Sequence, residues 1–264
     1  MKNILVPVGN SKNIESHLQY AVDFAQAFGA RLYVVQVYDM RLKSGTLGKI
    51  DHILERESML HLNNLLASID TKNVDIVVKS FKGKLIDTLE LICKTADVDL
   101  MLVEPRTNSI KEEVFLGKTS GKIIKKTNIP SLIVPEGYVF KPISNILIAI
   151  KSAIIKKEGA LAPLKQLQDE FKSVVNLLLV KTPFYKEGDF KVNSALTTII
   201  TETVYTESAT TFHGVLEHYK VHEPDLLCVF RRKRGFFTKM WEKNVILKKD
   251  FYSPFPVLVL RGVK

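Results

Sequence analysis

Cysteine is scarce in this chain: Cys93 and Cys228 are the only two in 264 residues. Two isolated thiols exclude a disulfide framework and a Cys-rich zinc site. Both fall in apolar stretches expected to be a helix core and a buried strand, so neither reads as a nucleophile. No apolar run approaches the roughly 20 residues of a membrane span. The opening Ile4-Leu5-Val6 run stops at Pro7 and reads as a strand, not a signal peptide. No Ser/His/Asp set can be assembled. His52 and His61 are nine apart and face opposite sides of a helix. His218 and His222 share a face beside Glu217, but they read as surface histidines near a helix end before they read as a metal pair. These absences lead to the expectation of a cytoplasmic, non-catalytic protein without membrane contact.

What is present is ordinary globular composition: 46% hydrophobic and 25% charged residues leave enough apolar surface to offset chain entropy. The net charge is +10, of which residues 139–264 carry +8. Much of that excess lies between Arg231 and Lys249. A basic cluster can bind phosphates, yet this one lacks the interleaved aromatics of a stacking platform. Phe236, Phe237 and Trp241 stand at helical spacing and read as packing residues. Nucleic acid is therefore the disfavoured partner, and a solvated face the favoured reading.

The chain repeats itself. Asn3-Ile4-Leu5-Val6-Pro7-Val8 returns 142 residues later as Asn145-Ile146-Leu147-Ile148-Ala149-Ile150. Val98–Val103 returns as Pro224–Val229, and Ile129–Val134 as Phe255–Leu260, both 126 residues later. Two blocks at one offset indicate tandem duplication, with 16 residues lost from the middle of the second copy. The expected domains are 1–138 and 142–264, punctuated by Pro135, Gly137 and Pro142.

Within copy one, continuous apolar runs (4–8, 31–37, 74–80, 99–103, 131–134) alternate with helical patterns (14–28, 52–69, 85–95, 119–126). Runs without polar alternation suit strands covered on both faces, hence a parallel sheet with right-handed crossovers. The prediction is an α/β chain of two tandem doubly wound five-stranded parallel-sheet domains, strand order 3-2-1-4-5. One unbroken sheet through the chain would contradict two separate sandwiches. Met40–Ile50 reads as a loop. The second helix of copy two must fit into roughly 192–201, or give way to a loop.

The Ile-Leu-Val-Pro-Val opening, the five strand–helix alternations and the closing Ile-Pro-Ser-Leu-Ile-Val-Pro strand together resemble the universal stress protein family, over both copies. The resemblance implies an adenine nucleotide alpha hydrolase-like, Rossmann-like fold. It further implies a phosphate loop Gly-x2-Gly-x9-Gly-(Ser/Thr) after the fourth strand, where glycines admit phosphate to the backbone. Those positions here are Glu104, Thr107, Gly117 and Lys118, with Thr119 one place late; the Asp that the family has after its first strand is Gly9. In copy two they are Phe230, Lys233, Lys243 and Asn244, and Lys151 replaces the Asp. A P-loop at Gly117-Lys118-Thr119 fails, because Glu112 stands five before Gly117; Gly117 reads instead as the N-cap of a helix.

If any nucleotide binds, ATP binds copy one. The groups available are Pro7, Val8, Gly9, Val35, Val37, Arg106, Thr107, Gly117, Lys118, Thr119 and Ser120, with Glu104 opposing. The leading expectation is a stress-response or signalling module that binds an unidentified small molecule or protein through a degenerate loop. The alternatives are ATP binding through a modified loop in copy one, and nucleic-acid binding through copy two. The apolar last strands (132–134 and 257–260) should pair antiparallel within the chain; a homodimer is left open.

Overall fold

The computed structural model describes residues 1–38, 47–105, 114–155, 159–231, 246–248 and 251–261. Copy one comprises β1 (Asn3–Val8), α1 (Ile14–Phe28), β2 (Arg31–Tyr38), α2 (Leu47–Ala67), β3 (Ile76–Lys82), α3 (Leu85–Thr95), β4 (Leu100–Val103), β5 (Val114–Leu116), α4 (Lys118–Lys126) and β6 (Ser131–Ile133). Copy two comprises β7 (Asn145–Ile150), α5 (Ala162–Phe171), β8 (Val174–Lys181), α6 (Ser194–Thr197), β9 (Glu202–Glu207), α7 (Thr211–His222), β10 (Leu226–Arg231), β11 (Ile246–Leu247) and β12 (Val257–Arg261).

Ten strands form one sheet in the order β3-β2-β1-β4-β6-β12-β10-β7-β8-β9. Each half follows the predicted 3-2-1-4-5 order, and all its neighbours are parallel. The sheet is nevertheless unbroken, contrary to the expectation of two separate sheets. The cause is the antiparallel pairing of β6 with β12, which sets Val257 opposite Ile133, Leu258 opposite Leu132 and Val259 opposite Ser131. Edge pairing of two parallel sheets necessarily merges them.

The duplication is visible at the foot of each half. Asp99, just before β4, accepts from the amides of Lys2 (2.6 Å) and Asn3 (3.1 Å). Asp225, just before β10, accepts from the amides of Ser144 (2.9 Å) and Asn145 (3.0 Å). Each carboxylate thereby satisfies donors at the start of the neighbouring strand that have no ladder partner.

Apolar residues fill both faces of the sheet, as continuous strand runs require. One layer joins α1, α2 and α5 to strand residues of both copies; the other joins α3, α4 and α7. Leu18, Ala21, Val22 and Ala25 are the buried stripe of α1, and Gly29, at φ 58°, ends it in the left-handed region. The connection between copies is part of the first layer. Tyr138 and Phe140 lie against Tyr20, and Phe140 also meets Phe24 of α1 and Phe171 of α5.

Several elements depart from expectation. The helix predicted from 52 begins at Leu47, inside the predicted 40–50 loop, whose residues 40–46 fall outside the described set. The shortened helix of copy two is a single turn, α6, capped by Asn193, whose side chain accepts from the Leu196 amide. His218 is not a surface residue: it is buried, on the apolar side of α7. No helix among the described residues is long and apolar enough to cross a membrane.

Two measurements test this architecture. Val259 is 4% exposed at the seam, and a lysine there would be a buried, uncompensated charge costing about 3 kcal/mol. Val259→Lys should therefore lower the single melting transition of the whole chain by about 8 °C; separate melting of the two halves would contradict the seam's role. For Asp225, burial pushes the carboxyl up, but Lys141 and the amides of Asn145 and Ser144 outweigh it and hold it below its ordinary value. A depressed carboxyl stabilises the fold above the ordinary carboxylate range, and that contribution fades as pH falls through its folded value. Asp225→Asn should cost about 1 kcal/mol at neutral pH, and denaturation curves of variant and wild type should converge below about pH 4.

Candidate functional site

The C-terminal strand ends of copy one enclose a cavity of about 370 Å³. Its floor is the end of β1 (Pro7, Val8) with Gly9 and Asn10, and its walls are Gln36 and Val37 of β2, Val103 with Glu104 beyond β4, and Leu85 of α3. Thr119, Ser120 and Ile123 of α4 close the remaining side. A crevice at the carboxyl ends of parallel strands, where the order reverses beside β1, is where doubly wound sheets bind ligands.

Glu104 dominates the chemistry. It is 7% exposed, and its Oε1 accepts from the Ser11 hydroxyl, which in turn accepts from the Asn13 amide (3.2 Å). The Ser120 hydroxyl donates to the Glu104 carbonyl (2.6 Å). One residue therefore ties three elements: the loop leaving β1, the end of β4 and the first turn of α4. Gly117 is the N-cap of α4, with extended geometry (φ −72°, ψ 168°), and its carbonyl receives the Gly121 amide (2.8 Å). The positive end of that helix faces a crevice that already holds a carboxylate.

Of the residues expected at a nucleotide site, the structure brings Pro7, Val8, Gly9, Val37, Thr119 and Ser120 to the cavity. Val35 does not reach it: it is buried in the layer beneath α3 and α4, on the same face of β2 as Val37 but two residues farther from the strand's C-terminal end. Gly117 and Lys118 precede the lining residues of α4 without joining them, and Lys118 is solvent-exposed. Arg106 and Thr107 lie outside the described residues. Sequence reasoning missed Asn10, Gln36, Leu85, Val103 and Ile123 as lining. The usable signal was Gln36, a polar residue in an otherwise apolar strand.

Copy two is built differently at the equivalent place. The Ala153 amide donates to the Asp189 carbonyl (2.7 Å), and Asn193 Nδ2 to the Ile155 carbonyl (2.8 Å), so the 182–193 segment folds over the loop leaving β7. Phe230, which stands where the first loop glycine would, is buried. Its neighbour Arg231 reaches into copy one, where its Nη1 donates to the carbonyls of Ile124 and Lys125 near the C-terminus of α4. Burial, and then Arg261, lower its pKa. The approach to α4 is also held from copy two, since β5 pairs antiparallel with β11 in a separate two-stranded sheet that the sequence did not suggest. Phe115 of β5 packs on Phe251 with ring centroids 5.0 Å apart.

Both thiols are free and buried. Burial, and then Glu90, push Cys93 up to about 12, and burial alone raises Cys228. Among the described residues no group of three His, Cys, Asp or Glu side chains could hold a metal ion.

Residues 1–135 match the sequence profile described as the Universal stress protein family. A universal stress protein of Archaeoglobus fulgidus is similar in structure, with a TM-score of 0.72 at 17% identity, covering 98% of each chain. A functionally unknown protein of Pseudomonas aeruginosa aligns with a TM-score of 0.60 at 12% identity, covering 99% of this chain and 93% of its own. At such identities the likeness speaks for the fold alone. No curated protein matches the sequence.

Because two carbonyls of α4 depend on Arg231, Arg231→Ala should cost about 1–3 kcal/mol in chemical denaturation. It should also raise hydrogen exchange of the α4 amides in copy one, although the substitution lies in copy two. Exchange changes confined to copy two would show that the contact carries no stability.

Proposed function

The chain belongs to the universal stress protein family, and from that premise we propose that it acts as a non-catalytic stress-response or signalling module that does not hold ATP in the manner of the family's nucleotide-binding members. It works as two halves, 1–138 and 142–264, joined within one chain. The observation that supports this reading is Glu104. A buried carboxylate tied to Ser11 occupies the position of the first loop glycine, where a diphosphate would have to lie. Like charges at that distance in a partly buried site repel strongly. The second loop glycine is Thr107, whose side chain hinders the approach of phosphate to the backbone, and the post-strand Asp is Gly9, which offers no carboxylate. The residues present do not fit a nucleoside triphosphate. In copy two, Phe230 and Arg231 serve packing and docking instead of ligand binding.

Each lost polar partner costs about 1–3 kcal/mol. The lost carboxylate, the repulsion by Glu104 and the hindered backbone approach together take a micromolar affinity, about 8 kcal/mol, to the millimolar range or weaker. Isothermal titration should detect no ATP binding at about 0.1 mM. The combined variant Glu104→Gly, Thr107→Gly, Gly9→Asp should regain measurable affinity. Tight ATP binding by the unaltered chain would overturn this reading in favour of a charge-based loop using Arg106 and Lys118.

A further inference from the structure

Positive charge is crowded at a place the cavity does not use. The nine residues of α4 include four lysines, Lys118, Lys122, Lys125 and Lys126, and no acidic residue. Spacings of three and four set them along one face of the helix. Lys118 and Lys126 are exposed, and the other two are half-buried. The opposite face is apolar, with Ile123 and Ile124 buried against the sheet. Like charges four apart weaken a helix, and a cation in the first turn, as at Lys118, opposes its dipole. The fold then adds charge at the other end. Arg231 donates to the carbonyls of Ile124 and Lys125, and its register neighbour on β12 is a second arginine, Arg261. Both continue the sheet face on which α4 lies, two residues beyond Val229 and Val259. Burial, and then Arg261, lower the Arg231 pKa, and Glu90 of α3 opposes both. The Glu90 carboxylate is itself engaged by the Asn128 amide (2.8 Å).

A polyanion relieves such crowding, and three features choose among polyanions. Lysines spread along about 12 Å of helix match a nucleic-acid strand, which carries one phosphate per about 3.4 Å of duplex axis. No aromatic stands on α4 to stack an unpaired base. Its isoleucines are buried, so no large apolar side chain is offered to a lipid surface. We infer that the lysine face of α4 in copy one, with Arg261 of copy two beside it, docks the phosphate backbone of a double-stranded nucleic acid without reading its sequence. Arg231 holds the two parts of this face together. Most of the face belongs to copy one, so the basic cluster of copy two, weighed by itself, points away from nucleic acid. None of these cations lines the cavity of copy one, and the inference is independent of what that cavity holds.

The test is fluorescence anisotropy of the full chain with a labelled duplex of about 20 base pairs, as DNA and as RNA. At about 50 mM salt the Kd should be about 10 µM or tighter, and log Kobs should fall against log salt with a slope of about −3 to −4. The DNA and RNA forms should bind within about tenfold of each other, because only phosphate is contacted. The single strand of the same sequence should bind at least about fivefold more weakly. Lys122→Gln combined with Lys126→Gln should weaken the duplex about tenfold or more and make the slope shallower by about 2. The melting temperature should stay within about 2 °C of wild type, because two like-charge pairs disappear with the lysines. Lysines with a merely structural role would move the melting temperature and leave the slope alone. The inference is overturned if no duplex binds at about 100 µM, or if the single strand or vesicles of phosphatidylserine and phosphatidylcholine bind more tightly than the duplex. It is equally overturned if the double variant keeps the full slope, which would place the duplex on other cations of the chain.

Discussion

Everything else in the molecule hangs on a seam three residue pairs long. A doubly wound sheet of 3-2-1-4-5 order ends on its last strand, and in both copies that strand is apolar: Leu132 and Ile133 in one, Val257 to Leu260 in the other. Left bare, such an edge invites association with any other chain. Pairing β6 with β12 satisfies both edges at once. It also aligns the two packing layers, so each apolar layer contains residues of both copies. The two halves therefore share continuous apolar layers across the seam. The connecting segment is anchored at two points, with Tyr138 against α1 and Phe140 between α1 and α5.

The seam also explains an asymmetry between the copies. Both keep the acidic foot, Asp99 and Asp225, because strand starts need their donors satisfied whatever the chain binds. The opposite ends of the sheet have diverged. Copy one has a cavity there, whereas in copy two the 182–193 segment is hydrogen-bonded to the loop leaving β7. Residues of copy two then hold α4 at both ends, through β11 beside β5 and Arg231 at the far carbonyls. The helix that forms one wall of the copy-one cavity is therefore held partly by residues of copy two.

How legible this was in the sequence depends on the range of the interactions. Continuous apolar runs such as Leu100–Val103 announced buried parallel strands, because both faces of those strands are covered. Internal repetition announced the two halves, since Asn3 and Asn145 stand in equivalent surroundings. By contrast β5 and β11 are three and two residues long, and each is defined only by the other. No local pattern could identify them. Gly117 was legible as an N-cap because extended backbone before a helix is a local property. Val35 was misplaced at the site because the cavity meets only the C-terminal end of β2, and Val35 lies two residues short of Val37 on the same face.

Glu104 is the position at which sequence and structure together say more than either alone. From the sequence it is a defect in a glycine loop, a charge where backbone approach was needed. In the structure it is a joint: Ser11 donates to its carboxylate and Ser120 to its carbonyl. A bound phosphate would tie the loop after β1 to the start of α4 through its own oxygens, and only while present. The side chain and backbone of Glu104 make the same tie covalently continuous with β4. The crevice consequently keeps its shape without a ligand to organise it. The tie between the loop after β1 and the start of α4 is therefore made by the chain itself, through one residue at the end of β4.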